Sequence, residues 1–446
     1  MRRFLLPFVS LALFFVACKS DASKSPSVGT DTLRYPSPAP EKLSAQEMER
    51  YHAKLESLFT GNLINRNFNG GVIVAKGGHI LYEQYAGYKD PRHPNAADAI
   101  NDTTSFHLAS TSKPFTGVTI LRLAQEGRLH LNDDLGRYFP DFPYAGITIR
   151  HLLSHRSGLP NYLYFMEDKQ KWPADKKASN NDVLNFLIQY KPALSYKTGT
   201  HFSYCNTNFV LLALIIEKVT GKTYPEYLSE TIFKPLGMTH TFVYTPADSG
   251  TVIQSYKPSG ALWEQDIFDN TYGDKNIYST PRDMVKWDAA LYNNNFIRQS
   301  LIDSAYQPES LESPSIHNYG LAWRMLDLPN GKKVIYHNGK WHGFNPAFAR
   351  LLNEHAVIII LGNKYNINIY RAAKLAYNVF GDYMQNQEES DEESMQPQAP
   401  MKAAKHTKPK PVSKATAKKV VQKQQKAVPK KVIAKSPKKN QAKKKK

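Results

Sequence analysis

The strand-forming stretches of this chain sit at the two ends of one long segment, and that arrangement constrains the fold more than any other feature. "GGVIVAKGGHILYEQYAG", residues 70–87, reads as two β-rich runs joined at Gly77-Gly78, which is a hairpin signal. Strand character returns at "KKVIYHN" (332–338), "NPAFARLL" (345–352) and "AVIIILGN" (356–363), while helical patterns broken by Pro, Gly and Asn clusters fill residues 115–300. "AQEMERYHAKLESLF" (45–59) and "IYRAAKLAYNVF" (369–380) bracket the whole as amphipathic helices. The chain must therefore leave a sheet, build a helical lobe and come back to the same sheet. The class is α/β of the α+β kind.

The flanks have different compositions. The formal charge of +19 invites a nucleic-acid reading, but residues 401–446 alone hold 18 lysines and no Asp or Glu, so the rest of the chain is nearly balanced. Residues 386–446 open with an acidic knot and continue without periodicity; they are expected to be a disordered, Lys-rich tail. Lysines without aromatics give sequence-blind attraction to anionic surfaces, so an anionic envelope surface is the expected contact and no specific nucleic acid is expected. At the other end, "MRRFLLPFVSLALFFVAC" has an Arg-Arg start, an apolar run from Phe4 to Ala17 and then Cys18, the layout of a signal peptide too short for a comfortable span. Its ending, "FVAC", resembles a bacterial lipobox. That resemblance implies cleavage before Cys18, acylation of Cys18 and attachment to a membrane of the cell envelope, outside the cytoplasm. The expected organisation is a signal peptide (1–18), a flexible tether rich in Ser and Pro (19–44), one folded domain (45–385) and the tail (386–446).

Within the domain, "LASTSKPFTG" (108–117) places Ser110 three residues before Lys113 at the start of an apolar helix. A serine hydroxyl needs a base within hydrogen-bond reach, and residues i and i+3 share a helix face, so the Lys113 amine can approach the Ser110 oxygen. Free N–H groups at a helix start also suit a developing oxyanion. The pair alone is weak, because Ser436 and Lys439 repeat it in the tail. Two other segments join it. "FSYCNTNFVLLALIIEKVTG" (202–221) puts Tyr204-Cys205-Asn206 where a loop meets an apolar helix, and "VIYHNGKWHGFNPAFARLL" (334–352) puts His337-Asn338-Gly339 on a strand near the end of the domain.

These three elements, in this order, resemble the serine hydrolases of the class C β-lactamase and DD-peptidase family, in which Ser-x-x-Lys is followed by Tyr-x-Asn and then by a strand bearing x-x-Gly. "ITIRHLLSHRSGLP" (147–160) and "YSTPRDMVKWDAALYNN" (278–294) are also similar to segments of that family. The resemblance covers about residues 45–385 and implies an antiparallel sheet flanked by helices plus a mostly helical lobe. The third element departs from Lys-Thr-Gly. Relatives carrying His-x-Gly or Trp-x-Gly are peptidases and esterases, which lowers the expectation of true β-lactamase activity.

The resemblance implies that Ser110 attacks a carbonyl and becomes acylated, with Lys113 and Tyr204 sharing the proton transfers. Asn206 would hold Lys113 or the substrate amide. The amides of Ser110 and Lys340 would bind the oxyanion, Gly339 would leave room for substrate, and His337, if protonated, would pair with a substrate carboxylate. No cofactor and no metal is called for. The expected substrate is a small D-amino-acid peptide, of carboxypeptidase or aminopeptidase type, with weak β-lactam hydrolysis at most. An esterase of the same fold and an inactive envelope-binding protein are the alternatives. His151 and His155 stand at i and i+4 in "HLLSH", yet without the glutamate of a zinc-peptidase motif they are expected to pack or cap. Cys205 is expected to be a buried filler beside Tyr204. The aromatics of "NYLYFMEDKQKWP" (161–173) are expected in the core.

Overall fold

A computed structural model describes residues 34–385. The first helix, α1 (Ala45–Phe59), starts where Ser44 Oγ accepts the Glu47 amide at 3.2 Å while the Glu47 carboxylate takes the Ser44 amide at 3.0 Å. This reciprocal cap satisfies amides that have no partner inside the helix. Strands β1 (Gly70–Lys76) and β2 (His79–Ala86) follow as an antiparallel hairpin. Gly77 and Gly78 both have positive φ, 51° and 82°, as a two-residue turn of this kind requires.

The chain then leaves this sheet through β3 (Phe106–His107) and α2 (Lys113–Gln125), and builds the lobe from α3 (Ile149–Leu153), α4 (Tyr162–Phe165), α5 (Asn180–Tyr190), α6 (Asn206–Thr220) and α7 (Tyr224–Leu228). Every residue of α6 from Asn206 to Ile216 is buried. A helix apolar all round belongs in a core, and α6 packs against α2, α3, α5 and α7. After β4 (Phe242–Val243), β5 (Ile277–Ser279), α8 (Pro281–Ala290) and α9 (Gln299–Ala305), the chain returns to the main sheet. It does so through β6 (His317–Tyr319), β7 (Arg324–Asp327), β8 (Lys333–Asn338), β9 (Ala347–Leu351) and β10 (Ala356–Gly362), and α10 (Asn368–Tyr377) follows.

The main sheet has the order β2-β1-β10-β9-β8-β7-β6, and every pairing is antiparallel. Both ends of the domain meet in its middle, where β1 pairs with β10 from Gly70↔Gly362 to Lys76↔Ala356. The period-two alternation of β10 serves two cores. Ile358 and Ile360, with Val72 and Val74 of β1, pack with Leu55, Phe59 and Ile369 of the flanking helices. Val357, Ile359 and Leu361 join the core shared with α2, α6 and α8.

The expected α+β architecture is thus present, with strands that the patterns alone did not reveal. Strands β3, β5 and β4 form a second sheet of three strands, β3 just before the stretch read as helical and β4 and β5 within it. At two or three residues each they are too short to carry a period-two signal. Strands β6 and β7 extend the main sheet beyond the three C-terminal strands expected. The end of the expected tether is also less free than its composition suggests. The Tyr35 ring meets Phe296 edge-on at 5.3 Å, Asn293 donates to the Pro36 carbonyl at 3.2 Å, and the Glu41 amide donates to Gly77 O at 2.8 Å. Prolines 36, 38 and 40 already restrict this stretch, which lowers the entropy lost on docking it. Cys18, the signal peptide, the rest of the tether and the tail lie outside the described residues.

Candidate active site

The turn that carries Ser110, the expected nucleophile, is built by the second sheet. His107, on β3, accepts the Ala109 amide at Nδ1 (3.0 Å) and bonds Asn276 Oδ1 through Nε2 (2.7 Å). Ala109 takes a left-handed φ of 45°, unusual for a residue with a side chain. A short 3-10 turn, Ala109–Ser112, then runs directly into α2. Ser110 is half-buried there, and the Lys113 side chain is fully buried below it.

Lys113 Nζ has three oxygen partners: Ser110 Oγ at 3.2 Å, Asn206 Oδ1 at 2.7 Å and the Asp274 carbonyl at 2.9 Å. It also lies 4.9 Å from the centre of the Tyr204 ring, which places Tyr204 against the same amine. Three elements distant in sequence therefore meet at one nitrogen. Asn206 is the first residue of α6, and the close approach of α6 to the segment carrying Asp274 depends on Gly273, whose Cβ would sit 2.4 Å from Phe209 O.

The third element docks from the other side. Thr111 Oγ1 donates to the His337 carbonyl at 3.0 Å, tying β8 to the nucleophile turn. A Cβ on Gly339 would lie 2.7 Å from Leu108 O and 2.9 Å from the Ser110 nitrogen. Gly339 was expected to leave room for substrate; the space its missing side chain leaves is taken by the nucleophile turn itself. Gly339→Ala is accordingly expected to push that turn aside and slow acylation of Ser110 roughly 10²-fold, since a shift of about 1 Å at a reacting atom has that order of cost. Stopped-flow acylation rates check it. Lys340 follows with an exposed side chain whose ammonium lies over the Tyr365 ring at 4.8 Å.

His337 departs from its expected setting. It is fully buried, with Nδ1 against Asn338 O at 2.8 Å and Nε2 against the Tyr319 hydroxyl at 3.3 Å. Burial first, then the positive charges of Arg324 and Lys113, hold its pKa well below the ordinary histidine value. A neutral, enclosed imidazole does not pair with a substrate carboxylate. The cation near Tyr204 from this side of the site is Arg324 on β7, whose guanidinium carbon lies 5.0 Å from the Tyr204 ring centre.

Sequence reasoning passed over His107, Asp274 and Arg324. They act through backbone carbonyls, turn amides and ring faces, and no spacing in the chain marks such contacts. Cys205 is buried, its thiol pushed up to about 11 by desolvation, consistent with a filler and not a nucleophile. His151 caps α3 through Nδ1, which accepts the Thr148 amide at 3.2 Å, whereas His155 lies beyond that helix in a left-handed conformation. Tyr162, Met166 and Trp172 are core residues. Among the described residues, Asp266, Asp269 and His342 have potential metal-ligand atoms within 4.8 Å of one another. Asp269 Oδ1 already accepts Trp341 Nε1 and His342 Nε2 at 2.8 Å each, and the Lys177 ammonium stands 3.3 Å from Oδ2, a donor set that suits a satisfied carboxylate.

The site also carries a pH signature. Desolvation pushes the buried His107 down to about 3 from the ordinary histidine value of about 6.5. Between those values the unfolded chain binds a proton that the folded one refuses, so folding stability rises with pH across this window and is lost on acidification below 6.5. At pH 5 this single group should cost about 2 kcal/mol relative to pH 7. Urea unfolding at both pH values, compared with His107→Asn, tests it: the variant should lose less stability on acidification by about that amount.

Comparison with known proteins agrees with this geometry. Residues 55–377 match the family model described as Beta-lactamase. Penicillin-binding protein 4* of Bacillus subtilis is 33% identical over 341 residues, covering 72% of this chain and 74% of that protein. The octameric penicillin-binding protein homologue from Pyrococcus abyssi superposes with a TM-score of 0.63 at 23% identity, over 73% of this chain and 76% of its own. D-amino acid amidase from Ochrobactrum anthropi SV3, solved with L-phenylalanine, gives a TM-score of 0.58 at 23% identity, over 73% and 96%. A chain that joins Ser110, Lys113, Tyr204 and Asn206 around one amine and matches that family over most of its folded length belongs to the beta-lactamase family of serine hydrolases.

Proposed function

We propose that this protein is an envelope-anchored hydrolase that forms an acyl-enzyme at Ser110, with amides or peptides of D-amino acids as its substrates. The observation that carries this reading is the set of three oxygens around Lys113 Nζ. Asn206 Oδ1 and the Asp274 carbonyl hold the nitrogen from two sides, and its third contact is with Ser110 Oγ, across which the hydroxyl proton would pass in acylation. Tyr204, whose ring centre lies 4.9 Å from the same nitrogen, is the proposed carrier of that proton to the leaving nitrogen. The amides of Ser110 and Lys340 are the proposed oxyanion donors, with Gly339 letting the two backbones come together. Water then cleaves the Ser110 ester, releasing the acid and restoring the hydroxyl.

The substrate class is supported by the names of the relatives, a penicillin-binding protein and a D-amino acid amidase. Envelope anchoring is supported by the N-terminal sequence ending at Cys18. One observation favours the esterase alternative: with His337 buried and neutral, the third element presents no histidinium for a substrate carboxylate. Hydrolysis of D-phenylalaninamide, a D-alanyl-D-alanine peptide, their L-isomers and a p-nitrophenyl ester, each against Ser110→Ala, tests the choice. Turnover of the D-substrates that exceeds the L-forms and needs Ser110 is expected. Ser110-dependent turnover of the ester alone would replace the peptidase reading with the esterase one, and no Ser110-dependent turnover of any of them would remove both.

A further inference from the structure

We propose that His155 is the positioning residue of Tyr204, gripping the backbone on both sides of it and so fixing where the phenol points. This rests on the reading that Tyr204 takes part in proton transfer. Tyr204 lies in a loop just before α6, where neighbouring amides have no strand or helix ladder to join. The two amides that flank it both go to one residue. Ser203 N–H donates to the His155 carbonyl at 2.9 Å, and Cys205 N–H donates to His155 Nδ1 at 3.1 Å. The Asn208 side-chain amide reaches the same Nδ1 at 3.2 Å, and the His155 and Tyr204 ring centres lie 4.3 Å apart with their planes tilted by 39°.

The backbone at His155 carries a cost that supports a specific role. α3 ends at Leu153 with Ser154 as its C-cap, and the next residue, His155, has a φ of 55°, the left-handed position after a helix that glycine or asparagine usually fills. Histidine there is uncommon and costs on the order of 1 kcal/mol. The same left-handed turn presents both the carbonyl and the ring to the Tyr204 loop. Two donors on Nδ1 leave the proton on Nε2, a tautomer inferred from the network. Burial, then the charges of Lys113 and Arg324, keep the ring neutral, so Nδ1 stays free to accept. Nothing in the proposed chemistry uses His155 directly, yet it is fully buried among Tyr204, Phe202, Phe209 and Tyr319.

Three variants separate the backbone from the ring. His155→Gly relieves the left-handed strain and removes the acceptor; His155→Asn tolerates the same φ and offers Oδ1 near the place of Nδ1; His155→Ala keeps the strain and loses the acceptor. His155→Asn is expected to retain kcat within a few-fold of wild type. His155→Gly should melt no lower than His155→Ala, yet lose kcat roughly 10²-fold with KM changed less than about threefold. Hydrogen exchange at the Cys205 amide, read on the peptide containing residues 202–208, should quicken at least about tenfold in the Gly and Ala variants but not in the Asn variant. Equal exchange in all four proteins, or an Asn variant that behaves as the Gly variant in both exchange and kcat, would overturn the proposal. The exchange measurement does not need turnover, so it judges the grip on Tyr204 even if Ser110 proves unreactive and the functional reading falls.

Discussion

Lys113→Met is expected to slow acylation of Ser110 roughly 10³-fold, within the usual range for removing a general base. Methionine matches the length of the buried stem, so the loss is chemical and not a matter of filling space. What disappears is the one atom that meets Ser110 Oγ, Asn206 Oδ1 and the Asp274 carbonyl together. The last two are then left without their donor in a buried site, which should lower stability by about 1–3 kcal/mol. Acylation rates by stopped flow, with a urea titration beside them, check both parts. A variant that acylates within tenfold of wild type would mean that Tyr204, and not Lys113, carries the proton removal.

The second large effect is on folding. Arg350, on β9, is fully buried, and its Nε donates to Asp288 Oδ1 of α8 at 2.5 Å, while Nη1 bonds the Tyr306 hydroxyl. The guanidinium also faces the Tyr292 ring at 4.5 Å. This pair clamps α8 to the sheet that carries β8. Asp288→Ala leaves a charged guanidinium enclosed with no carboxylate, and unfolding free energy should fall by about 3–5 kcal/mol, measured by urea denaturation. Replacing both partners together, Asp288→Leu with Arg350→Met, should recover most of the loss, because desolvation of two charges offsets much of what their attraction contributes. A double variant as weak as the single one would show that the pair is worth far more than its desolvation cost.

The parts of this protein that could be read from its sequence were those with a period or a fixed spacing. The amphipathic helix over 45–59, the Gly77-Gly78 hairpin and the all-apolar strand β10 follow from residue order alone, and each is found in the structure where the pattern placed it. Ser110 and Lys113 were legible because one helix turn separates them, and Tyr204-Asn206 because a loop meets a strongly apolar helix there. The second sheet was not legible, since two-residue strands have no periodicity, and yet it sets the nucleophile turn through His107. His337 was misjudged for a related reason. Its place in the third element could be found, but whether a strand residue faces the cleft or the core depends on which neighbours cover it, and here Tyr319 and the nucleophile turn do. His155 showed only as half of a histidine pair, because its partners lie about fifty residues away, on the far side of a loop whose path no local pattern specifies.

The most direct test of the account is the intact mass of the purified protein after incubation with a penicillin and, separately, with a fluorophosphonate, beside a Ser110→Ala control. The account predicts a stoichiometric adduct with the fluorophosphonate that maps to Ser110 and is absent from the control, with a penicillin adduct that forms at the same residue or turns over. An adduct on another residue, or no adduct with either reagent in a folded protein, would contradict it.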